Sequence, residues 1–343
     1  MSFICQRKLP TADEIHQKYP LPDNLAQIKQ DRDEEIKKIF TGEDNRLIMV
    51  IGPCSAHEED AVSEYVSRLA KLQEKVADKM LLVPRIYTNK PRTTGQGYKG
   101  MLHQPDLNKA SDMVAGLEAI RHMHLRILNE SRLPAADEML YPENYPYLSD
   151  LLSYVAIGAR SVENQQHRLT VSGFDIPVGM KNPTSGDLGV MLDSIMASQS
   201  SHIFVYNGWE VQTEGNKLAH AVLRGAVDRD GKYHPNYHYE SLIKAAERYY
   251  ERKLLNPAVI VDTNHANSGK LYAEQPRIIR EVMHSKKHSS LLSGIIKGFM
   301  VESYLLEGAQ PPNGTEFGKS ITDPCIGWDT TEKMIYDVAD MIV

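Results

Sequence analysis

From Leu47 onward, short apolar runs alternate with stretches whose apolar residues recur every three or four positions. Leu47-Ile48-Met49-Val50-Ile51 predicts a strand, and Val62, Tyr65, Val66, Leu69 and Leu72 then share one face of a helix. The run from Met80 to Tyr87 predicts a second strand, followed by a long helix with Met113, Leu117, Ile120, Met123 and Ile127 on one side. Further strands are expected to end near Glu138, Arg160, Lys181, Arg224, Asp262 and Glu302, which brings the strand ends to eight. Ala258-Val259-Ile260-Val261 and Gly294-Ile295-Ile296 contain no polar residue, as expected of parallel strands covered by helices on both faces.

The intervening segments have the length of right-handed crossovers, so the pattern predicts an α/β fold in which eight βα units close into a (β/α)8 TIM barrel. Periodicity alone leaves an open doubly wound sheet as the alternative. Against it, no Gly-x-Gly-x-x-Gly turn follows the first strand.

Residues 1–45 read as an N-terminal helical extension and residues 46–343 as the barrel. Thr11-Ala12-Asp13-Glu14 is a capping box that starts a short helix, and Pro20 and Pro22 end it. A second helix carries Leu25, Ile28, Ile36, Ile39 and Phe40, with Gly42 at its C-terminal cap. Arg229-Asp230-Gly231-Lys232 predicts the tight turn of a β-hairpin inserted near 210–237.

The 343 residues, 41% hydrophobic and 24% charged, fit a soluble globular enzyme rather than a disordered chain. A formal charge of -6 argues against nucleic acid or an anionic membrane as partner. Cys5, Cys54 and Cys325 form a sparse, odd set, unlike a secreted disulfide framework. The first eight residues lack the apolar core of a signal peptide, and no stretch approaches the roughly 20 apolar residues of a membrane span. A cytoplasmic location is expected.

One segment reverses the overall sign. Between Arg85 and Pro105 lie Arg85, Lys90, Arg92 and Lys99 without an Asp or Glu. Lys90-Pro91-Arg92-Thr93-Thr94, followed by Gly95-Gln96-Gly97, combines cations, hydroxyls and turn residues able to present backbone N–H groups to a phosphate. Polar residues also stand at or just beyond the other expected strand ends: Cys54, Glu138, Arg160, Lys181, Arg224, His265 and Glu302. In a barrel all of these converge on one mouth.

At this point a resemblance becomes specific. Gly52-Pro53-Cys54-Ser55, Lys90-Pro91-Arg92-Thr93-Thr94, Ile157-Gly158-Ala159-Arg160, Val178-Gly179-Met180-Lys181-Asn182, Leu223-Arg224-Gly225, His265-Ala266-Asn267-Ser268 and Thr322-Asp323-Pro324-Cys325-Ile326-Gly327-Trp328 resemble motifs of the type I 3-deoxy-D-arabino-heptulosonate-7-phosphate (DAHP) synthases. The likeness is to the feedback-regulated subclass with an N-terminal extension. It implies condensation of phosphoenolpyruvate with erythrose 4-phosphate and water to DAHP and phosphate, the first step of the shikimate pathway.

The resemblance further implies one divalent metal ion on Cys54, His265, Glu302 and Asp323. Mn2+, Fe2+, Co2+ or Zn2+ suits such mixed thiolate, imidazole and carboxylate donors better than Mg2+. It puts phosphoenolpyruvate on Arg85, Lys90, Arg160, Lys181 and Arg224, and the aldose phosphate on Arg92 and Thr93. Lys90, Lys181 and Glu138 are the catalytic candidates, the last two for moving protons. Six cations and a 2+ ion, less Cys54 thiolate, Glu138, Glu302 and Asp323, leave +4 against about -4 to -5 on two phosphates and a carboxylate.

Cys325 stands two residues beyond Asp323, and oxidation to a Cys54–Cys325 disulfide is expected to inactivate the protein. A homodimer or homotetramer is implied, with the extension as interface material or folded back on its own barrel. An aromatic amino acid effector is implied too, although Tyr141-Pro142-Glu143-Asn144-Tyr145-Pro146 and Phe174-Asp175 depart from the patterns of phenylalanine-, tyrosine- or tryptophan-sensitive forms. The competing readings are the related synthase that uses arabinose 5-phosphate, a barrel hydrolase and a non-catalytic phosphometabolite-binding barrel.

Overall fold

A computed structural model describes residues 2–342. Eight parallel strands form one sheet: β1 (Leu47–Gly52), β2 (Met80–Pro84), β3 (Ala136–Glu138), β4 (Tyr154–Ile157), β5 (Val178–Lys181), β6 (Ala219–Leu223), β7 (Val259–Asp262) and β8 (Ile296–Glu302). Their spatial order is β2-β1-β8-β7-β6-β5-β4-β3. A parallel bridge between Arg85 and Ala136 joins the two outer strands. The sheet is therefore closed, which decides against the doubly wound alternative.

Closure divides the apolar residues into two layers. Met49, Ile51, Leu82, Val155, Val261 and Phe299 pack outward against the surrounding helices. Ile48, Val50, Leu81, Val83, Ala156, Val222, Ile260 and Met300 belong to a separate buried cluster that fills the lumen. That cluster also contains Ile36, Ile39 and Phe40 of the extension. Helix α2 (Asp23–Thr41) thus folds back on its own barrel and stoppers the end opposite the strand C-termini.

The capping box at Thr11 starts helix α1 (Ala12–Lys18), with Thr11 Oγ1 and the Glu14 carboxylate each accepting from the other's backbone N–H. Gly42 ends α2 in the left-handed region, at φ +83°.

Three segments differ from the sequence pattern. Gly294 and Ile295 close a short helix, Ser290–Ile295, and the strand starts only at Ile296. The crossover from β3 to β4 holds only a 3-10 turn, Pro142–Tyr147, because Pro142 and Pro146 cannot both lie inside an α-helix. Two hairpins flank β6. The one turned by Asp230 and Gly231 pairs Ala226–Val227 with Tyr233–His234, while a longer one pairs Ile203–Tyr206 with Trp209–Gln212. The longer hairpin lies mostly ahead of the expected 210–237. Its turn is Asn207-Gly208, both at positive φ, the strongest short hairpin signal a sequence carries.

Candidate active site

The strand C-termini open into a cavity of about 680 Å³ lined by Cys54, Arg85, Lys90, Arg92, Thr93, Glu138, Arg160, Lys181, Arg224, His265 and Asp323. Glu302, the last residue of β8, is buried beneath it. All twelve residues singled out in the sequence therefore meet at one mouth, although they come from segments between 54 and 323.

Cys54, Glu302 and Asp323 each offer a donor atom within 4.8 Å of the other two. The Cys54 thiol faces Asp323 Oδ2 at 3.3 Å, and Lys90 Nζ reaches both, at 2.6 Å from the sulfur and 2.8 Å from the carboxylate. Arg85 Nη2 donates to Glu302 Oε1 at 2.7 Å, while Asn264 Nδ2 donates to Oε2 at 2.6 Å. His265 stands outside that trio. Its Nδ1 lies 2.9 Å from Asp262 Oδ2 but off the line of a hydrogen bond. A thiol, two carboxylates and a neighbouring imidazole suit a borderline divalent cation.

Burial and charge act against each other here. Burial, and then the nearby Glu302, push the Cys54 thiol above its ordinary pKa, so the free thiol is protonated. Burial would also raise Asp323, yet the ammonium of Lys90 holds its carboxyl well below the usual range. Burial works against charge on Arg85 and Lys90 as well, but Glu302 beside Arg85, and Cys54 and Asp323 beside Lys90, raise both pKa values and keep them cationic.

Around this centre the cations are incompletely matched. Arg85 Nη1 and Arg224 Nη1 are buried with no hydrogen-bond partner among the described residues. Desolvation lowers the Arg224 pKa, as expected of a guanidinium enclosed without a carboxylate beside it. Lys181 Nζ rests on Asp262 Oδ2 at 3.1 Å, and Arg160 Nη1 donates to Thr93 Oγ1 at 2.9 Å. Glu138 lies against Gly158, where a Cβ would overlap its Oε1.

Two functional neighbours were missed. Asp262 joins Lys181 to His265, and Lys270 Nζ approaches Asp323 Oδ1 at 3.9 Å. The position of Asp262 at the end of an apolar strand was legible, but its bridging contacts depend on two other segments. Lys270 is aimed by a left-handed backbone, φ +63°, which nothing in the sequence signals.

A second cavity, of about 410 Å³, lies between the 203–212 hairpin and the segments after β3 and the helix Gln165–Val171. Tyr145 and Phe174 stack within it at 3.7 Å between ring centroids, beside Asp175 and Glu214.

A closed parallel barrel whose mouth brings a Cys, a Glu and an Asp within reach of one metal ion, beside buried guanidiniums with unmatched Nη1 atoms, fits an enzyme that handles phosphorylated anions with a metal. Comparison with known proteins makes this particular. The DAHP synthetase I family model matches residues 24–335. The "Phospho-2-dehydro-3-deoxyheptonate aldolase, Trp-sensitive" of Escherichia coli K12 is 36% identical over 97% of this chain and 95% of its own length. The Phe-sensitive protein of the same strain is 38% identical over 95% and 92%. A solved phospho-2-dehydro-3-deoxyheptonate aldolase from Francisella tularensis SCHU S4 superposes with a TM-score of 0.91 at 31% identity, covering 99% of this chain and 98% of that one.

The chain belongs to the DAHP synthetase I family, and so to the metal-dependent transferases that make DAHP at the head of aromatic amino acid synthesis. These likenesses favour that activity over the arabinose 5-phosphate enzyme and the non-catalytic barrel.

Proposed function

We propose that the mouth residues divide the reaction as follows. Cys54, His265, Glu302 and Asp323 hold one divalent ion, which when bound supplies Lewis-acid polarisation of the aldehyde oxygen. Arg85, Lys90, Arg160, Lys181 and Arg224 grip phosphoenolpyruvate, and the unpaired Nη1 atoms of Arg85 and Arg224 meet its anionic oxygens. Arg92 and Thr93 hold the phosphate of erythrose 4-phosphate, bringing its carbonyl carbon to C3 of phosphoenolpyruvate. Water adds at C2, phosphate leaves with C–O cleavage, and Lys181 and Glu138 move the protons.

The supporting observation is the pair of orphaned buried guanidinium nitrogens in the cavity that lies over the clustered Cys54, Glu302 and Asp323 donors. The test is phosphate release in the presence of both substrates. Turnover should need erythrose 4-phosphate, fall sharply with arabinose 5-phosphate, stop with a chelator and return with Mn2+, Fe2+, Co2+ or Zn2+. Chelator-resistant turnover would overturn the metal assignment.

Relatives named Trp-sensitive and Phe-sensitive support an aromatic amino acid effector for this chain as well. We assign it to the 410 Å³ cavity, where Tyr145 and Phe174 offer aromatic surface and Asp175 and Glu214 match an ammonium group. Initial rates measured with each aromatic amino acid test this. Ile203, Val205 and Trp209 on the neighbouring hairpin, each more than two-thirds exposed, support a homodimer or homotetramer through that face, which light scattering would detect. Three free cysteines support a cytoplasmic location, and no helix among the described residues is long and apolar enough to cross a membrane.

A further inference from the structure

At the end of the barrel opposite the mouth, a cleft of about 400 Å³ opens between the start of β8, the helix Gln275–Lys287 and the last helix, Trp328–Met341. Four of its lining residues are cationic, Arg46, Lys286, Lys287 and Lys297, and one is acidic, Asp44. The acid is already taken: Asp44 pairs with Arg46 at 2.7 Å, and Arg46 also reaches Glu35 at 3.2 Å. None of the three lysines has a carboxylate partner among the described residues. A chain of net charge -6 thus carries a second local excess of positive charge, again in a concave place.

The lysines are not simply solvated. Lys286 and Lys297 are half-buried, and Lys286 Nζ is fixed by donating to the Ser293 carbonyl at 2.5 Å. Lys297 Nζ stands near the C-terminal cap of α2, 3.8 Å from where a Cβ on Gly42 would lie. Helix capping does not account for it. The Lys38 carbonyl already accepts from the N–H groups of Glu43 and Asp44, and the Ile39 carbonyl from that of Gly42. Desolvation, and then the charge of Lys297, depress Lys286 to about 8, and desolvation lowers Lys297 as well. An anion held in the cleft would offset that desolvation.

We propose that this cleft binds a phosphate group, carried by inorganic phosphate or by a small phosphate monoester, with Lys286 and Lys297 as its ion-pairing partners. Two ammonium groups in one cleft match a dianion, and Asn45 and Ser293, whose side chains can donate, line the same space. The site is separate from the mouth and independent of the condensation chemistry.

Residue-resolved acetylation tests it without mixing the two sites. The intact protein is treated with a limiting dose of acetic anhydride, and modification of each lysine is read by peptide mass spectrometry. Inorganic phosphate at ten times its dissociation constant should slow acetylation of Lys286 and Lys297 about tenfold while leaving the exposed Lys244 unchanged. A parallel series with glycerol 2-phosphate separates the sources: protection by phosphate alone assigns the free ion, and protection by both assigns the phosphate group in either carrier. Unchanged rates with both compounds, or equal protection by sodium chloride of the same ionic strength, would overturn the proposal.

Discussion

The two ends of the barrel bury polar groups under opposite rules. At the mouth, Arg85, Lys181, Asp262 and Glu302 are all less than 4% exposed, and each is held by an opposite charge. At the foot, Phe40 of α2 lies over His220 at 4.3 Å between ring centroids. The imidazole there is neutral and fully matched, with Nδ1–H donating to the Leu218 carbonyl and Nε2 accepting from the Tyr154 hydroxyl, both at 2.9 Å. A group that only has to stay folded can give up its charge. The mouth residues retain theirs because neighbouring charges offset desolvation, and that arrangement is what a charged substrate needs. The mouth should therefore yield to mutation in rate, and the foot in stability.

The largest expected effect is at the mouth. Lys181→Ala should lower kcat by about 10²–10⁴ through loss of a proton-transferring group. Its circular dichroism spectrum should remain native, and near-normal turnover would remove Lys181 from the mechanism. At the foot, Phe40→Ala should cost about 3–5 kcal/mol of stability by opening a cavity in the lumen. Urea unfolding would measure this, with phosphoenolpyruvate KM expected to stay unchanged.

His220 gives that contrast a pH dependence. Burial lowers its pKa to about 4 in the folded chain, against about 6.5 when unfolded. The unfolded state then binds the extra proton between those values, so its contribution is whole above pH 6.5 and is lost as pH falls towards 4. The loss amounts to about 3 kcal/mol. In His220→Gln the same stretch of a pH-dependent urea series should be flatter, and an unchanged slope would assign the acid sensitivity elsewhere.

Asp262→Asn probes the mouth more gently. Removing the charge that orients Lys181 and faces His265 should weaken metal affinity by about 10–100-fold, as for other groups behind a metal ligand. Isothermal titration with Mn2+ would show it. The smallest change is a slow one: Cys54 and Cys325 are both buried and their thiol pKa values are raised, first by burial. Oxidation should therefore inactivate slowly through a Cys54–Cys325 disulfide, and peptide mapping of inactive protein with both thiols free would refute it.

Much of the frame was legible in one dimension because strands and helices announce themselves by local periodicity. The β1 run at Leu47, the Thr11 capping box and the Gly42 cap each depend on neighbours within a few residues. The longer hairpin is marked in the sequence as well, by Asn207-Gly208 at its turn. The start of β8 was not, since Gly294-Ile295-Ile296 is equally apolar in a strand or a short helix. Chemical types at the mouth were readable from strand ends and from the family motifs. Their pairings were not, because they join segments as distant as Lys90 and Asp323.

The order of residues alone fixed the alternation of strands and helices, the cationic segment after Arg85 and the presence of a thiol, an imidazole and two acids. Only the closed barrel decided that Phe40 would plug the lumen, that Asp262 would stand between Lys181 and His265, and that Lys286 and Lys297 would share a cleft. Periodicity is set by backbone geometry over a few residues. Which charges end up side by side in low dielectric is set by the path of the whole chain.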